Sequence, residues 1–233
     1  MLGCAGQVKK FVRCVNVTNG MATTVTFSEL RAAQEYLDKK KVLLPTKLIR
    51  SIELEKQIQR NLQIYLKPEN LQRTGSYKVR GAFNKMRSLQ GEEIQRGVIT
   101  ASSGNHAQGV AYAAKALEIQ CRIVMPTTAP KAKKMATTDY GVEVLERGES
   151  YDEAYEAAKK MADESKETFV EAFDDLAVIA GHGTVGLESR GATARARRRR
   201  DGTSSRRWRC PCCRYQSRHG KATSKRTSHR PAV

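Results

Sequence analysis

Residues 97–125 read GVITASSGNHAQGVAYAAKALEIQCRIVM, in which two short apolar runs enclose a longer alanine-rich segment. Residues 97–101 and Cys121–Met125 predict buried strands, and Asn105–Leu117 predicts a helix between them. A strand, a helix and a strand in this order indicate a right-handed crossover between parallel strands. The stretch therefore predicts an α/β fold.

The same alternation continues toward the carboxyl end. The pattern predicts a helix over 130–140, a strand over 142–145, a helix over 150–162 and a strand over 168–172. Ser150 and Glu153 have the spacing of a capping box at the start of the third of these segments. A mostly parallel sheet covered by helices on both faces, in three layers, is the expected result.

Upstream of this repeat the chain is mainly helical. The periodicity predicts a helix from Ser28, a helix over 48–58, a strand over 62–66 and a helix from Ser76 to about Gly91. The first helix places Leu30, Ala33 and Leu37 on one face, and the last places Val79, Phe83 and Met86 on one face. Both helices are therefore expected to cover a core.

Charge is distributed unevenly along the 233 residues, whose formal net charge is +18. Of 42 Lys and Arg residues, 15 lie in residues 189–233, which contain one acid, Asp201. We predict that residues 189–233 are disordered, because their apolar periodicity vanishes.

No apolar run approaches the roughly 18 residues of a membrane span, and the cysteine spacing indicates no disulfide framework. An intracellular, cytoplasmic location is expected, with mitochondrial or other organellar targeting by residues 1–26 as an alternative.

One loop, residues 72–81 (QRTGSYKVRG), carries a lysine at an unusual place. Lys78 falls in the first turn of the helix that Ser76 is expected to cap. A helix amino terminus carries roughly half a positive charge, which disfavours an ammonium group and favours the neutral amine. A neutral amine is the form that condenses with a carbonyl cofactor, so Lys78 is a candidate nucleophile as well as an ordinary surface lysine.

A second loop, residues 100–109 (TASSGNHAQG), runs from the end of a predicted strand into a predicted helix. Its backbone N–H groups and hydroxyls converge on a helix amino terminus, which is a favourable place for a carboxylate or a phosphate. Such loops also serve as plain helix caps, so on its own this loop leaves both interpretations open.

Together these loops resemble the threonine/serine dehydratase and serine racemase family of pyridoxal-phosphate enzymes, which has the tryptophan synthase β-like fold. The resemblance rests on residues 76–82 (SYKVRGA) and 102–106 (SSGNH), and it extends to residues 66–72 (LKPENLQ), 124–131 (VMPTTAPK) and 178–184 (VIAGHGT). It implies pyridoxal 5'-phosphate as cofactor, L-threonine and L-serine as substrates, and release of a 2-oxo acid and ammonia. Complete members of the family are commonly homo-oligomers.

The resemblance also implies roles for individual residues. Lys78 corresponds to the Schiff-base lysine, which holds the cofactor and then moves the substrate α-proton, and Tyr77 stands beside the cofactor ring. Asn105 corresponds to the residue that hydrogen-bonds the ring hydroxyl. The substrate carboxylate would be held by Ser102, Gly104, Asn105 and His106. We expect His182, His106 and Cys121 to be structural in other respects, and we expect no metal site.

Ser103 leaves two reactions open. Many dehydratases of the family have alanine there, whereas serine racemases have a serine that exchanges a proton on the opposite face. Two acid–base groups flanking one carbanion permit racemisation. Because dehydratase-like members also have this serine, we rank dehydration first and serine racemase second.

The resemblance divides the chain into five parts: a leader (1–26), the amino-terminal part of a large cofactor domain (27–96), a small α/β domain (97–176), a return to the large domain (177–188) and the basic tail (189–233). The family's large domain continues beyond this resemblance with a glycine run that grips the cofactor phosphate. This sequence contains no Gly-Gly pair. The large domain is therefore expected to be incomplete, and the chain is expected to be inactive or impaired.

A frameshift near Glu188 explains both the missing glycines and the tail. Residues 206–210 (RRWRC) encode four glycines one base later when each arginine codon is CGG. The alternative of another class is a noncatalytic remnant whose arginine-rich tail binds nucleic acid. We rank it lower, because in the tail only Trp208 and Tyr215 provide aromatic stacking.

Overall fold

The computed structural model describes residues 16–18, 21–58 and 62–198, with side chains in residues 24–58 and 62–192. The strands are β1 (Asn16–Thr18), β2 (Met21–Thr23), β3 (Ile49–Arg50), β4 (Tyr65–Leu66), β5 (Val98–Ala101), β6 (Cys121–Met125), β7 (Glu143–Glu146) and β8 (Thr168–Phe169). The α-helices are α1 (Phe27–Lys40), α2 (Ile52–Ile58), α3 (Lys78–Met86), α4 (Glu92–Arg96), α5 (Asn105–Leu117), α6 (Lys131–Thr138), α7 (Tyr151–Ser165) and α8 (Leu176–Arg198). A 3-10 turn spans Glu69–Leu71.

The main sheet has four parallel strands in the order β7-β6-β5-β8. Helix α5 connects β5 to β6, α6 connects β6 to β7, and α7 connects β7 to β8. The predicted α/β class with parallel strands is therefore confirmed. Two antiparallel pairs, β1-β2 and β3-β4, lie outside this sheet.

Helices cover both faces of the main sheet, because side chains alternate along each strand. Val98 and Ile123 pack with α3 and α5 in one buried cluster. Ile99 and Val124 pack on the opposite face against the alanines of α7. This arrangement gives the expected three layers, and Cys121 is buried in the first cluster as predicted.

Helices α1, α3 and α8 form a second packing unit beside α5. The predicted face of α1 is buried as expected, and Leu30 and Ala33 pack with Ile179 and Ala180 of α8. Helix α8 approaches α3 closely, because a Cβ placed on Gly181 would lie 2.4 Å from the carbonyl oxygen of Arg80. Only glycine permits this crossing without displacing the backbone.

Several predicted boundaries differ from the structure. Residues 48–58 form β3 and α2 instead of one helix, since Ile49 pairs with Leu66 and Ser51 donates its N–H to the Ile64 oxygen at 2.9 Å. Helix α3 ends at Met86, and the short helix α4, which follows Gly91 at φ 46°, was not predicted. The predicted strand 62–66 is reduced to β4, and the predicted strand 168–172 to β8.

The capping box at α7 forms only in part. The Ser150 hydroxyl accepts a hydrogen bond from the Glu153 N–H at 3.2 Å, as predicted. The Glu153 carboxylate, however, accepts from the Glu149 N–H at 2.7 Å. The Glu153 side chain therefore bonds the residue before the N-cap and not the N-cap itself.

We predicted disorder from residue 189, but this start is too early, because α8 continues through Arg198. Residues 199–233 and most of the predicted leader lie outside the described residues, although β1 and β2 fall within the leader. The division into domains stays a prediction. No helix among the described residues is long and apolar enough to cross a membrane.

Candidate functional site

The order of the main sheet defines a switch point between β5 and β8. The chain proceeds from β5 to β6 and β7 on one side, and then β8 pairs with the opposite side of β5. Ligands of parallel α/β sheets bind beyond the carboxyl ends of the strands at such a point. The loop after β5 contains residues 102–104, and the segment after β8 contains residues 170–173. These two segments therefore border the expected ligand-binding site.

Lys78 is the first residue of α3, and its side chain is directed to this switch point. Its Nζ donates a hydrogen bond to the Ala172 carbonyl oxygen at 2.7 Å and lies 4.1 Å from the centre of the Phe173 ring. The N-cap of α3 is Tyr77 and not Ser76 as predicted, although the Ser76 hydroxyl accepts a hydrogen bond from the Lys78 N–H at 3.3 Å. Lys78 is only 8% exposed, so it is not an ordinary surface lysine.

The lysine helix contacts the helix that follows the second loop. A Cβ placed on Gly109 of α5 would lie 3.1 Å from both the carbonyl carbon of Lys78 and the nitrogen of Val79. The absence of a side chain at Gly109 thus allows α5 to approach the start of α3. The two sequence motifs are far apart in the chain, but their helices meet at Lys78.

The serine-rich loop lies at the carboxyl end of β5. The Ser102 N–H donates to the Val124 oxygen at 3.1 Å, and the Ser102 hydroxyl accepts from the Gly104 N–H at 3.2 Å. Ser102, Ser103 and Gly104 are half-buried, while Asn105 is exposed as the first residue of α5. The amino terminus of α5 therefore faces the end of the sheet where an anion is expected.

His106 joins this loop to the segment after β8. Its Nε2 lies 3.1 Å from the Val170 carbonyl oxygen, which also accepts the Thr100 hydroxyl at 2.7 Å. Burial is the main cause that lowers the pKa of His106 to about 4, so the ring is neutral near pH 7. Because a carbonyl only accepts, the proton resides on Nε2, and Nδ1 has no donor hydrogen. The carboxylate-binding role of His106 stays a prediction, and the ring nitrogen that donates is already bonded to Val170.

Tyr77 and His182 lie together beside Lys78. Their rings meet edge to face with centres 4.9 Å apart, and the Lys78 Nζ lies 5.6 Å from the centre of the Tyr77 ring. Burial, and then the charges of Lys78, His106 and Arg80, lower the pKa of His182 well below 6.5. The structure thus brings the buried Lys78, His106 and His182 together with the half-buried Tyr77.

A buried ionic cluster, which was not predicted, secures the helix that carries Lys78. Arg80 donates to both carboxylate oxygens of Glu69, at 2.8 and 2.9 Å, and to those of Glu188, at 2.6 and 3.1 Å. Lys67 binds Glu188 at 2.5 Å, and the Thr184 hydroxyl accepts from Arg80 at 3.0 Å. Two cations and two carboxylates make the cluster neutral, which is the condition for burying charge.

Sequence reasoning could have found part of this cluster. Arg80 lies three residues before Phe83 on a helix whose apolar positions are buried, so an arginine there needs a carboxylate partner. Phe173 gave no such signal, because its contact with Lys78 depends on where β8 enters the sheet.

Comparison with known proteins assigns the class. The family model described as "Pyridoxal-phosphate dependent enzyme" matches residues 40–198. The chain therefore belongs to this family of pyridoxal-phosphate dependent enzymes, as the resemblance of its two loops implied.

Curated relatives of the chain include threonine ammonia-lyases and threonine dehydratases. The chain is 53% identical over 126 residues to an L-threonine ammonia-lyase of Thermotoga maritima, covering 54% of this chain and 31% of the relative. It is 43% identical over 172 residues to the catabolic L-threonine dehydratase TdcB of Staphylococcus aureus, covering 74% of this chain and 49% of the relative. The chain thus spans about a third to a half of the curated relatives it matches.

Solved structures agree in fold. The processed form of threonine deaminase isoform 2 from Solanum lycopersicum superposes with a TM-score of 0.64 at 36% identity, covering 77% of this chain and 48% of that one. Serine racemase from Dictyostelium discoideum gives a TM-score of 0.65 at 35% identity, covering 72% and 53%. Both reactions considered for Ser103 are therefore represented among similar structures.

The residues present fit the reactive end of such a cofactor. Lys78 offers an amine beside a helix amino terminus and two aromatic rings. Nearby, Nδ1 of His106 and both ring nitrogens of His182 are buried without a hydrogen-bond partner among the described residues. A polar aromatic ligand at Lys78 matches this combination of amine, ring faces and vacant hydrogen-bonding atoms.

Proposed function

We propose that this chain carries the lysine-bearing part of a pyridoxal-phosphate ammonia-lyase, which converts L-threonine to 2-oxobutanoate and L-serine to pyruvate, with release of ammonia. The observation that carries the proposal is the buried amine of Lys78 at the β5–β8 switch point, 2.7 Å from the Ala172 oxygen. The threonine ammonia-lyases among its relatives support this substrate class. An intracellular location and assembly into homo-oligomers belong to the same proposal.

Lys78 has two tasks in this proposal. It holds pyridoxal phosphate through its amine, and afterwards the free amine removes the α-proton of the substrate from the face that Lys78 occupies. When bound, pyridoxal phosphate withdraws electrons and stabilises the carbanion left at the α-carbon. Tyr77 would stand beside the cofactor ring and limit its movement. The Ala172 oxygen keeps the amine directed toward the switch point.

The loop before α5 orients the substrate. The hydroxyl of Ser102 and the backbone N–H groups of Gly104, Asn105 and His106 lie at a helix amino terminus, where a carboxylate is stabilised. The exposed Asn105 amide would hydrogen-bond the ring hydroxyl of the bound cofactor. Holding the carboxylate would fix the α-proton relative to Lys78, and it would fix the position of the β-hydroxyl, which takes up a proton and leaves as water.

Racemisation is the second candidate function, and the half-buried Ser103 is the observation that favours it. A serine hydroxyl on the face opposite Lys78 can return a proton to the α-carbon before the β-hydroxyl leaves. We rank it second, because the curated relatives reported above are a threonine ammonia-lyase and a threonine dehydratase.

A paired assay tests the proposal. The 233-residue protein is incubated with pyridoxal phosphate and L-threonine or L-serine, and 2-oxo acids and D-serine are measured in the same samples. We expect 2-oxo acid to form faster than D-serine, with Lys78→Arg abolishing both. Lys85→Arg is the matched control, because Lys85 lies in the same helix but pairs with Asp175 at 2.6 Å. D-serine accumulating faster than pyruvate would reverse our order, and equal yields with and without Lys78 would refute the proposal.

A further inference from the structure

His182 is a buried polar residue whose hydrogen-bonding capacity is unused. Its exposed fraction is 4%, and neither Nδ1 nor Nε2 has a partner among the described residues. A buried polar group without a partner costs free energy comparable to a lost hydrogen bond. Two such atoms on one ring therefore point to a partner that the described part of the chain does not supply.

The position of the His182 ring is fixed by backbone contacts. Gly181 brings α8 onto the backbone of Arg80 and Gly81, and a Cβ placed on Gly81 would lie 2.3 Å from Cε1 of His182. The Tyr77 ring contacts the imidazole at an interplanar angle of 78°. Since both contacts restrict the ring, His182 presents its nitrogens in one defined place.

That place adjoins the Lys78 amine. Tyr77, which contacts His182, also lies within 5.6 Å of the Lys78 Nζ. Burial, and then the positive charges of Lys78 and Arg80, lower the pKa of His182, so its ring is neutral. A neutral imidazole has one N–H donor and one bare nitrogen, so it can donate to an oxygen without adding charge.

We propose that His182 is a binding residue of the Lys78 site, whose imidazole N–H donates a hydrogen bond to an oxygen of the molecule held there. This inference rests on the proposed function, and it assigns to the site a residue that we expected to be structural. It explains why Gly81 and Gly181 hold a histidine ring against α3.

Two sources can supply the oxygen, and they share the same chemistry. One is an oxygen of pyridoxal phosphate, and the other is the carboxylate of the amino acid. Glycine is a suitable amino-acid probe, because it has a carboxylate but no β-hydroxyl to eliminate.

Nitrogen-15 NMR of histidine-labelled protein tests the inference directly. The chain has four histidines, so the signals of His182 are assigned by their loss in His182→Gln. Spectra are recorded for the protein alone, with pyridoxal phosphate, and with pyridoxal phosphate plus glycine. A His182 shift with the cofactor alone identifies a cofactor oxygen, and a shift only after glycine identifies the carboxylate. Unchanged His182 signals in both samples would overturn the inference.

Borohydride reduction of the sample that contains pyridoxal phosphate without glycine, followed by peptide mass spectrometry, separates the two claims. A pyridoxyl group on Lys78 with unchanged His182 signals means that the proposed function stands and the role of His182 fails. No pyridoxyl group on Lys78 in the wild-type protein overturns both.

Variants give a second readout that does not depend on turnover. If His182 binds a cofactor oxygen, His182→Leu should raise about tenfold the pyridoxal phosphate concentration for half-maximal labelling of Lys78 without glycine. If His182 binds the carboxylate, the variant should raise about tenfold the glycine concentration that halves this labelling, as expected for the loss of one hydrogen bond. His182→Gln keeps a donor and an acceptor, so it should stay within about twofold of the wild type. Equal labelling curves for His182→Leu and the wild type would contradict the role assigned to His182.

Discussion

The Lys78 amine donates a hydrogen bond to the Ala172 carbonyl oxygen at 2.7 Å, across 94 positions of sequence. This bond connects the first residue of α3 to the segment after β8, at the carboxyl end of the sheet. Lys78 is therefore placed by the parallel sheet as much as by its own helix.

Removing Arg80 should destabilise the fold strongly. Arg80→Met leaves the carboxylates of Glu69 and Glu188 buried without their main partner, and breaking a buried pair from one side costs about 3–5 kcal/mol. Urea unfolding followed by circular dichroism measures this change. Arg96→Met is the matched control, because the Arg96–Glu92 pair is exposed and should contribute at most about 1 kcal/mol. An equal decrease in the free energy of unfolding in the two variants would contradict a stabilising role for the ionic cluster.

Two glycines of α8 should respond differently to alanine. In Gly181→Ala the new Cβ would meet backbone atoms of α3, at 2.4 Å from the Arg80 oxygen, which cannot move without separating the helices. In Gly183→Ala it would meet the end of the flexible Leu30 side chain at 2.3 Å. Overpacking of this kind costs about 1–3 kcal/mol, so we expect Gly181→Ala at or above this range and Gly183→Ala near its lower end. Thermal unfolding measures the loss of stability in both variants, and a larger loss in Gly183→Ala than in Gly181→Ala would contradict the prediction.

Stability should fall as the pH is lowered from about 6.5 toward 4. Folding lowers the pKa of His106 from 6.5 to about 4, so in this window the unfolded chain binds more protons than the folded chain. Each such histidine contributes a slope of about 1.4 kcal/mol per pH unit, and its stabilisation is complete only above pH 6.5. Urea midpoints from pH 4.5 to 7.5 measure the slope, and His106→Gln should reduce it. An unchanged slope in that variant would contradict a neutral, buried His106.

Cys121 should resist alkylation in the native protein. Burial, with a smaller contribution from Glu167, raises the pKa of its thiol to about 12, and the thiolate is the reactive form. Treatment with iodoacetamide at pH 8, followed by peptide mass spectrometry, should leave Cys121 unmodified until urea is added. Rapid labelling without urea would mean that β6 is accessible and the core is open.

Local patterns in the sequence were sufficient to predict β5, α5 and β6. The strand, helix and strand of residues 97–125 were predicted almost residue by residue, because apolar periodicity and length are local properties. The start of α3 and the placement of Lys78 in its first turn also followed from nearby residues.

Features that depend on distant contacts were missed. The pairing of β8 with β5 sets the switch point, and nothing in residues 168–172 encodes which strand they join. The bond between Arg80 and Glu188 spans 108 positions, so its partner was invisible from either helix alone. No helix was predicted over the residues of α8, because the arginines after Glu188 obscured the periodicity of a helix that continues to Arg198.

The central claim is that Lys78 is the residue that binds pyridoxal phosphate. The 233-residue protein is mixed with pyridoxal phosphate, reduced with borohydride, digested and analysed by mass spectrometry. We expect the phosphopyridoxyl group on Lys78 in the wild type and in Lys85→Arg, and its loss in Lys78→Arg. Labelling distributed over exposed lysines and unchanged in Lys78→Arg would contradict the account.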